Sequence, residues 1–145
     1  MMAQSTTRVE PAGYSGTPLP KKLGIKAGSR VSFPGALEGF LGTLGELPEG
    51  VQTADGALDV VVFFVRSEAE LRGGFERWSK SITPAGMLWI GWPKKASGVR
   101  TDLTEDVVRR VALEKGMVDV KVAAIDATWS GLKLVVRLKD RAARE

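Results

Sequence analysis

Two apolar runs with a capped amphipathic helix between them limit the folds open to this chain. Asp59 to Val65 reads DVVVFFV, and Gly86 to Trp92 reads GMLWIGW. In the second run Met87 and Trp89 face one way while Leu88, Ile90 and Trp92 face the other, so neither face is polar. A strand of that kind is buried on both sides, which marks a central parallel strand covered by helices. Between the runs, Ser67-Glu68-Ala69-Glu70 forms a capping box: the Ser67 hydroxyl accepts from the Glu70 backbone, and the Glu70 carboxylate reaches back. Leu71, Phe75, Trp78 and Ile82 follow as one helical stripe, which Thr83-Pro84 ends.

The flanking segments extend this unit on both sides. Residues 1–12 are polar and unpatterned and are expected to form a disordered tail. Tyr14 to Pro20 holds too many turn-formers for a helix and should lie extended, and the KKLGIKAGS segment reads as a turn closed by Gly28. Arg30 to Phe33 is a brief strand broken by Pro34-Gly35. Leu37, Phe40, Leu41 and Leu44 then predict a helix over 36–44, weakened by Gly39 and Gly42. Val51 to Thr53 is a short edge strand between turn signals.

Beyond the second apolar run, Asp102 or Thr104 can cap a helix with Glu105 and Asp106 in its first turn, where the helix dipole favours negative charge. Leu103, Val107, Val108, Val111 and Ala112 give that helix its apolar face, and Gly116 stops it. Val118 to Asp126 reads as a strand, Ala127 to Gly131 as a turn, and Leu132 to Leu138 as the antiparallel return. Alternation of leucines with Lys133 and Arg137 predicts a less buried position for that return. The expected fold is a three-layer α/β domain over 13–139, with a mainly parallel sheet, a C-terminal antiparallel β-hairpin and a basic tail over 140–145. If Val51 to Thr53 pairs outside the first strand, the first helix covers one face and the two later helices cover the other. The switch point then falls between Arg30 to Phe33 and Asp59 to Val65.

The residue inventory excludes several chemistries. The 145 residues include no cysteine and no histidine, so disulfides, thiol nucleophiles, serine-histidine triads and nearly all transition-metal sites are ruled out, and no metal is expected. Net charge is +4, from 21 basic and 17 acidic side chains, which favours weak attraction to polyanions but does not reach the density of a dedicated nucleic-acid binder. No run approaches a membrane span and the opening residues lack a signal-peptide core, so the expected location is cytoplasmic.

Open parallel sheets bind ligands at the carboxyl ends of their strands. Four loops converge there: Phe33 to Ala36, Arg66-Ser67, Trp92 to Asp102, and Asp126 to Ser130. They bring Pro34, Gly35, Arg66, Ser67, Trp92, Lys94, Lys95, Ser97, Thr101, Asp102, Asp126, Thr128 and Trp129 into one candidate ligand-binding set, a basic and hydroxyl-rich rim with aromatic walls. Such a rim suits an anionic small molecule or a nucleotide. Each member also has an ordinary structural reading. The lysine pair is then solvated surface and the tryptophans are core packing. Asp102 becomes a helix-terminus residue, and Asp126 a residue that fixes its turn.

Two resemblances add to this. AGSRVSFPG, then LDVVVFFV, then TPAGMLWIGWP, then a helix and a hairpin, is similar to a shortened S-adenosylmethionine-dependent methyltransferase of the Rossmann-like class. Those enzymes hold the cofactor with a glycine-rich loop after the first strand and an acidic residue ending the second; here the loop is Phe33-Pro34-Gly35-Ala36, and Asp55 is the only nearby acidic candidate. The second resemblance covers more of the chain. GYSGTPLPKKLGI, WPKKASG, DLTEDVVR and DATWSGLK, in that order, resemble the bacterial family catalogued as domain of unknown function 3052, which implies a shared fold and no assigned reaction. The function expected is a methyltransferase-like domain without transferase activity that binds an anionic small molecule or a protein partner at the carboxyl-end loops, as a monomer or homodimer. The alternatives are a small S-adenosylmethionine-dependent methyltransferase and a weak nucleic-acid-associated module.

Overall fold

The computed structural model describes residues 17–144, so the expected tail over 1–12 lies outside the described residues. In chain order the elements are α1 (Leu19–Lys22), β1 (Arg30–Ser32), α2 (Phe40–Leu44), β2 (Gln52–Thr53), β3 (Leu58–Phe64), α3 (Glu68–Ser81), β4 (Ile82–Pro93), α4 (Glu105–Glu114), β5 (Met117–Ala124), β6 (Trp129–Val136) and α5 (Leu138–Arg141). Single 3₁₀ turns at Lys95–Ser97 and Ala142–Arg144 complete the set. The six strands form one sheet in the order β2-β1-β3-β4-β6-β5. Pairings among β1 to β4 are parallel, whereas β6 runs antiparallel to both β4 and β5.

This is the expected three-layer α/β sheet, with β2 outside β1 and the switch point between β1 and β3. The apolar strands divide their side chains between the two faces. Leu88, Ile90 and Trp92 of β4 join a core with Leu71 and Phe75 of α3 and with Val108, Val111 and Ala112 of α4. Trp89 points the opposite way, into a core with Leu19, Leu23, Val31, Phe40, Leu44, Val60, Val62 and Phe64. The capping box forms as read, with Ser67 Oγ accepting from Glu70 N at 3.1 Å while the Glu70 carboxylate accepts from Arg66 N at 2.7 Å. Thr104, not Asp102, caps α4, its Oγ1 accepting from Val107 N at 3.2 Å.

Charged pairs tie the covering helices together. Arg72 of α3 meets Glu114 of α4 at 3.1 Å, and Arg109 of α4 meets Asp119 of β5 at 3.0 Å. The Arg109 guanidinium holds the Asp119 carboxyl below its usual value. Both pairs are partly exposed, so they fix register more than they add stability.

Besides β4, which begins at Ile82 and so takes that residue out of the expected helical stripe, and α5, which takes Leu138 out of the expected last strand, four features depart from the sequence reading. Residues 19–22 form a helical turn where an extended segment was expected, because Pro18 and Pro20 suit the start of a helix and Leu19 and Leu23 bury themselves against the sheet. The second helix begins at Phe40 instead of 36, since Gly39 takes a left-handed φ of 92°. The turn of the C-terminal hairpin lies before Trp129, so Trp129, Ser130 and Gly131 belong to β6. Finally, β6 is not peripheral: it sits inside the sheet, and Leu132 and Leu134 are fully buried. Its alternation has another cause. Leu132, Leu134 and Val136 face α3 and α4, whereas Lys133 and Val135 lie on the opposite face, and among the described residues no helical residue joins the core on that face beyond α1 and α2.

Among the described residues no helix is long and apolar enough to cross a membrane.

Candidate functional site

The four predicted loops do meet at the carboxyl ends of the strands, and hydrogen bonds tie them to one another. The loop after β1 locks onto β3: Phe64 N donates to the Pro34 carbonyl at 2.9 Å, and Ala36 N donates to Phe33 O at 3.2 Å. Gly35, at φ 78°, lies so close to β3 that a Cβ there would overlap the Phe64 carbonyl oxygen. Only glycine meets both demands. Around this contact run four aromatic rings in edge-to-face sequence: Phe33 to Phe40 at 5.3 Å, Phe40 to Phe64 at 4.8 Å, and Phe64 to Trp129 at 5.2 Å. Backbone and aromatic side chains thereby narrow the crevice at the switch point.

The loop after β4 is held at both ends. At its start, Lys94 N donates to Thr128 O at 2.7 Å, and Ser97 Oγ donates to Lys94 O at 2.6 Å while accepting from Val99 N at 3.1 Å. At its far end, Thr101 Oγ1 donates to the Arg66 carbonyl at 2.6 Å and accepts from Leu103 N at 3.1 Å. Asp102 Oδ1 accepts from Glu68 N at 2.9 Å, so this carboxylate satisfies an orphan donor of α3 from 34 residues away. The β5–β6 turn is organised by Asp126, whose Oδ1 accepts from Thr128 N at 2.8 Å and Trp129 N at 2.7 Å.

The candidate residues therefore separate by role. Ser67, Ser97, Thr101, Asp102 and Asp126 use their polar atoms on backbone partners and build the loops. Trp92 and Trp129 are both nearly buried, at 5% and 4%, and belong to cores on opposite faces of the sheet, so they do not form facing walls. Arg66 lies with its guanidinium carbon 5.4 Å from the centre of the Trp129 ring, within cation–π range. Lys94 and Lys95 stand on the loop whose backbone is fastened to Thr128, next to that ring. The structure thus gathers Arg66, Lys94, Lys95, Thr128 and Trp129 into one neighbourhood. A shallow cavity of about 300 Å³ opens in the same neighbourhood, with Thr128 and Trp129 in its lining beside Phe40, Thr43, Phe64 and Asp126. The ring sequence went unnoticed in the sequence, although Phe33, Phe64 and Trp129 all flank strand ends.

Asp102→Ala should remove the N-terminal acceptor of α3 and lower stability by about 1 kcal/mol, the usual size of a lost cap. Urea unfolding measures the loss, and amide exchange at Glu68 should rise with it. An unchanged midpoint and exchange rate would mean that the bond contributes nothing.

No protein-family model and no curated protein sequence matches the chain. Solved structures do. A protein titled DhpI, in complex with SAH, superposes with a TM-score of 0.57 at 10% identity, over 81% of this chain and 81% of its own. A SAM-dependent methyltransferase from Aquifex aeolicus gives 0.54 at 16% identity, over 80% and 87%. The N-methyltransferase NodS from Bradyrhizobium japonicum, in complex with S-adenosyl-L-homocysteine, gives 0.51 at 12%, over 90% and 94%. The chain has the Rossmann-like methyltransferase fold. Identities this low establish the fold and not the reaction.

Proposed function

We propose that this chain is a binding domain on a methyltransferase scaffold, without methyl transfer, which holds an anionic small molecule or a protein partner on its carboxyl-end loops. The observation that carries the reading is the narrowed switch-point crevice. In an open α/β sheet that crevice is where a ligand enters, and here the Phe64–Pro34 hydrogen bond, the Gly35 contact and the ring sequence narrow it. The residues differ from the S-adenosylmethionine site usual for the fold: of the two glycines between β1 and α2, Gly35 is packed against β3 and Gly39 forms the left-handed start of α2, and Asp55 is exposed beyond the end of β2. Arg66, Lys94 and Lys95 supply positive charge beside Trp129, on loops whose backbone is already fixed, so little order is lost on binding.

The motifs that carry the resemblance to the domain of unknown function 3052 family lie on this same surface. WPKKASG and DATWSGLK meet each other through the Lys94–Thr128 bond and the pairing of Pro93 with Trp129, and DLTEDVVR holds Asp102 and Thr104, the acceptors for α3 and α4. They are the parts that build the loop surface.

Calorimetric titration with S-adenosylmethionine and S-adenosylhomocysteine should give no saturable heat, and micromolar one-site binding of either would overturn the proposal in favour of an active methyltransferase. A thermal-shift panel of nucleotides and phosphorylated metabolites completes the test. A ligand at 100 times its Kd stabilises by about 2.7 kcal/mol; Lys94→Ala with Lys95→Ala should abolish that shift without moving the ligand-free Tm. A shift retained in this variant would rule out an anion at these loops. A shift with short DNA alone, weakening as salt rises, would support the nucleic-acid reading instead.

A further inference from the structure

The sheet is most irregular at the amino ends of β3 and β4, the end away from the ligand loops. Leu58 pairs with Ile82 and Val60 with Met87, so four residues of β4, Thr83 to Gly86, stand opposite the single residue Asp59 of β3. On the other side the pairing of β4 with β6 begins only at Met87. Thr83 to Gly86 thus bulge from a central strand. The bulge closes against β3 at Gly86, where a Cβ would lie 2.8 Å from the Leu58 carbonyl oxygen. Bulges re-aim side chains, and this one turns Thr83 and Ala85 towards a cavity of about 310 Å³, whose lining also includes Asp59, Met87, Lys26 and Ser29.

Three polar side chains of this cavity are left with capacity that the fold does not use. Asp59 Oδ2 accepts from Arg30 N at 2.9 Å, which fixes the carboxylate in place. The Arg30 guanidinium is spent on the carbonyls of Gly56 and Ala57, at 2.8 and 3.2 Å, so Asp59 enters no ion pair among the described residues. Lys26 enters none either, although its backbone is held: Lys26 N donates to Ser29 Oγ at 2.9 Å, and Ser29 N donates to the Lys26 carbonyl at 3.0 Å. The Thr83 hydroxyl makes no hydrogen bond among the described residues.

We propose that this cavity binds a free α-amino acid with a small apolar side chain. Asp59 accepts from its ammonium, Lys26 and the Thr83 hydroxyl donate to its carboxylate, and Ala85 and Met87 meet its side chain. One cavity holding a carboxylate and an ammonium that do not pair with each other matches a zwitterion, whereas a plain anion would meet Asp59 and a plain cation Lys26. The volume stands at the low end of small-molecule sites, roughly 300–1,000 Å³. The proposal is independent of the loop surface described above, which lies at the opposite ends of the strands.

The test is thermal unfolding and calorimetry of the full chain with L-alanine, L-valine and L-methionine, on the wild type, Asp59→Asn and Lys26→Ala. At least one of the three should raise the wild-type Tm and titrate to one site. Its N-acetyl derivative has no ammonium and its amide has no carboxylate, and each should bind about tenfold more weakly or not at all. Asp59→Asn keeps an oxygen for Arg30 N, and Lys26→Ala breaks no ion pair, so both variants should hold the ligand-free Tm while losing affinity by a similar factor. The proposal is overturned if none of the three amino acids binds, if either derivative binds as tightly as its parent, or if either variant binds like the wild type.

Discussion

Trp89→Ala should be the most damaging single substitution in this domain. The indole is fully buried at the centre of β4, and its Nε1 donates to the Leu23 carbonyl at 3.0 Å, 66 residues earlier in the chain. Removing a buried tryptophan costs about 3–5 kcal/mol through lost contacts and the cavity left behind. The Leu23 carbonyl would also lose its partner in an apolar surrounding, worth about 1–3 kcal/mol more. Together these approach the whole stability of an ordinary domain, so the variant should be largely unfolded by circular dichroism. Trp89→Phe keeps most of the volume and removes the donor. It should fold, with stability lowered by about 2–3 kcal/mol, and with faster amide exchange at Leu23 and Ile25, where α1 meets the sheet. A Tm for Trp89→Phe within 2 °C of wild type would show that the bond to Leu23 does not anchor this segment.

The next largest effect is expected at Gly35. Alanine there meets two penalties at once. The positive φ of 78° costs roughly 1 kcal/mol for a residue with a Cβ. The added atom also overlaps the Phe64 carbonyl oxygen, which is backbone and cannot turn aside. Relief requires the loop to lift from β3, which breaks the bond from Phe64 N to Pro34 O. The combined loss should be about 3 kcal/mol, and a Tm lower by about 10 °C for a chain of this size. Equilibrium unfolding of Gly35→Ala measures it. A loss under 0.5 kcal/mol would mean that the loop lifts freely, and the narrowed crevice would then cease to support the binding-domain reading.

The parts of this fold legible in the sequence were those set by local pattern. The doubly apolar runs of β3 and β4, the Ser67 box and the Gly116 stop each follow from neighbours a few residues apart, and each stands where the pattern placed it. The position of β6 was not legible. The alternation of Leu132 and Leu134 with Lys133 describes one covered face and one open face, and an edge strand produces the same alternation as an inner strand left bare on one side. The candidate site was legible as a set of loops, because strand ends and topology decide which loops meet. The use of each side chain was not. Thr101 bonding to the Arg66 carbonyl and Asp102 to Glu68 N are contacts across 35 and 34 residues, which no spacing rule reaches.

The insertion of β6 between β4 and β5 orders the assembly of the molecule in time. Strands β1 to β4 can pair as soon as they are synthesised, each beside a neighbour already made. β5 cannot, because among the described residues its only partner in the sheet is the strand that follows it. Until Trp129 to Val136 leaves the ribosome, the nascent chain carries β4 with a bare edge and α4 with little of the sheet beneath it to cover. Such an exposed edge invites pairing with other chains. The final strand is therefore the keystone of the fold: one late segment closes β4, recruits β5 and completes the bed for α4 in a single step.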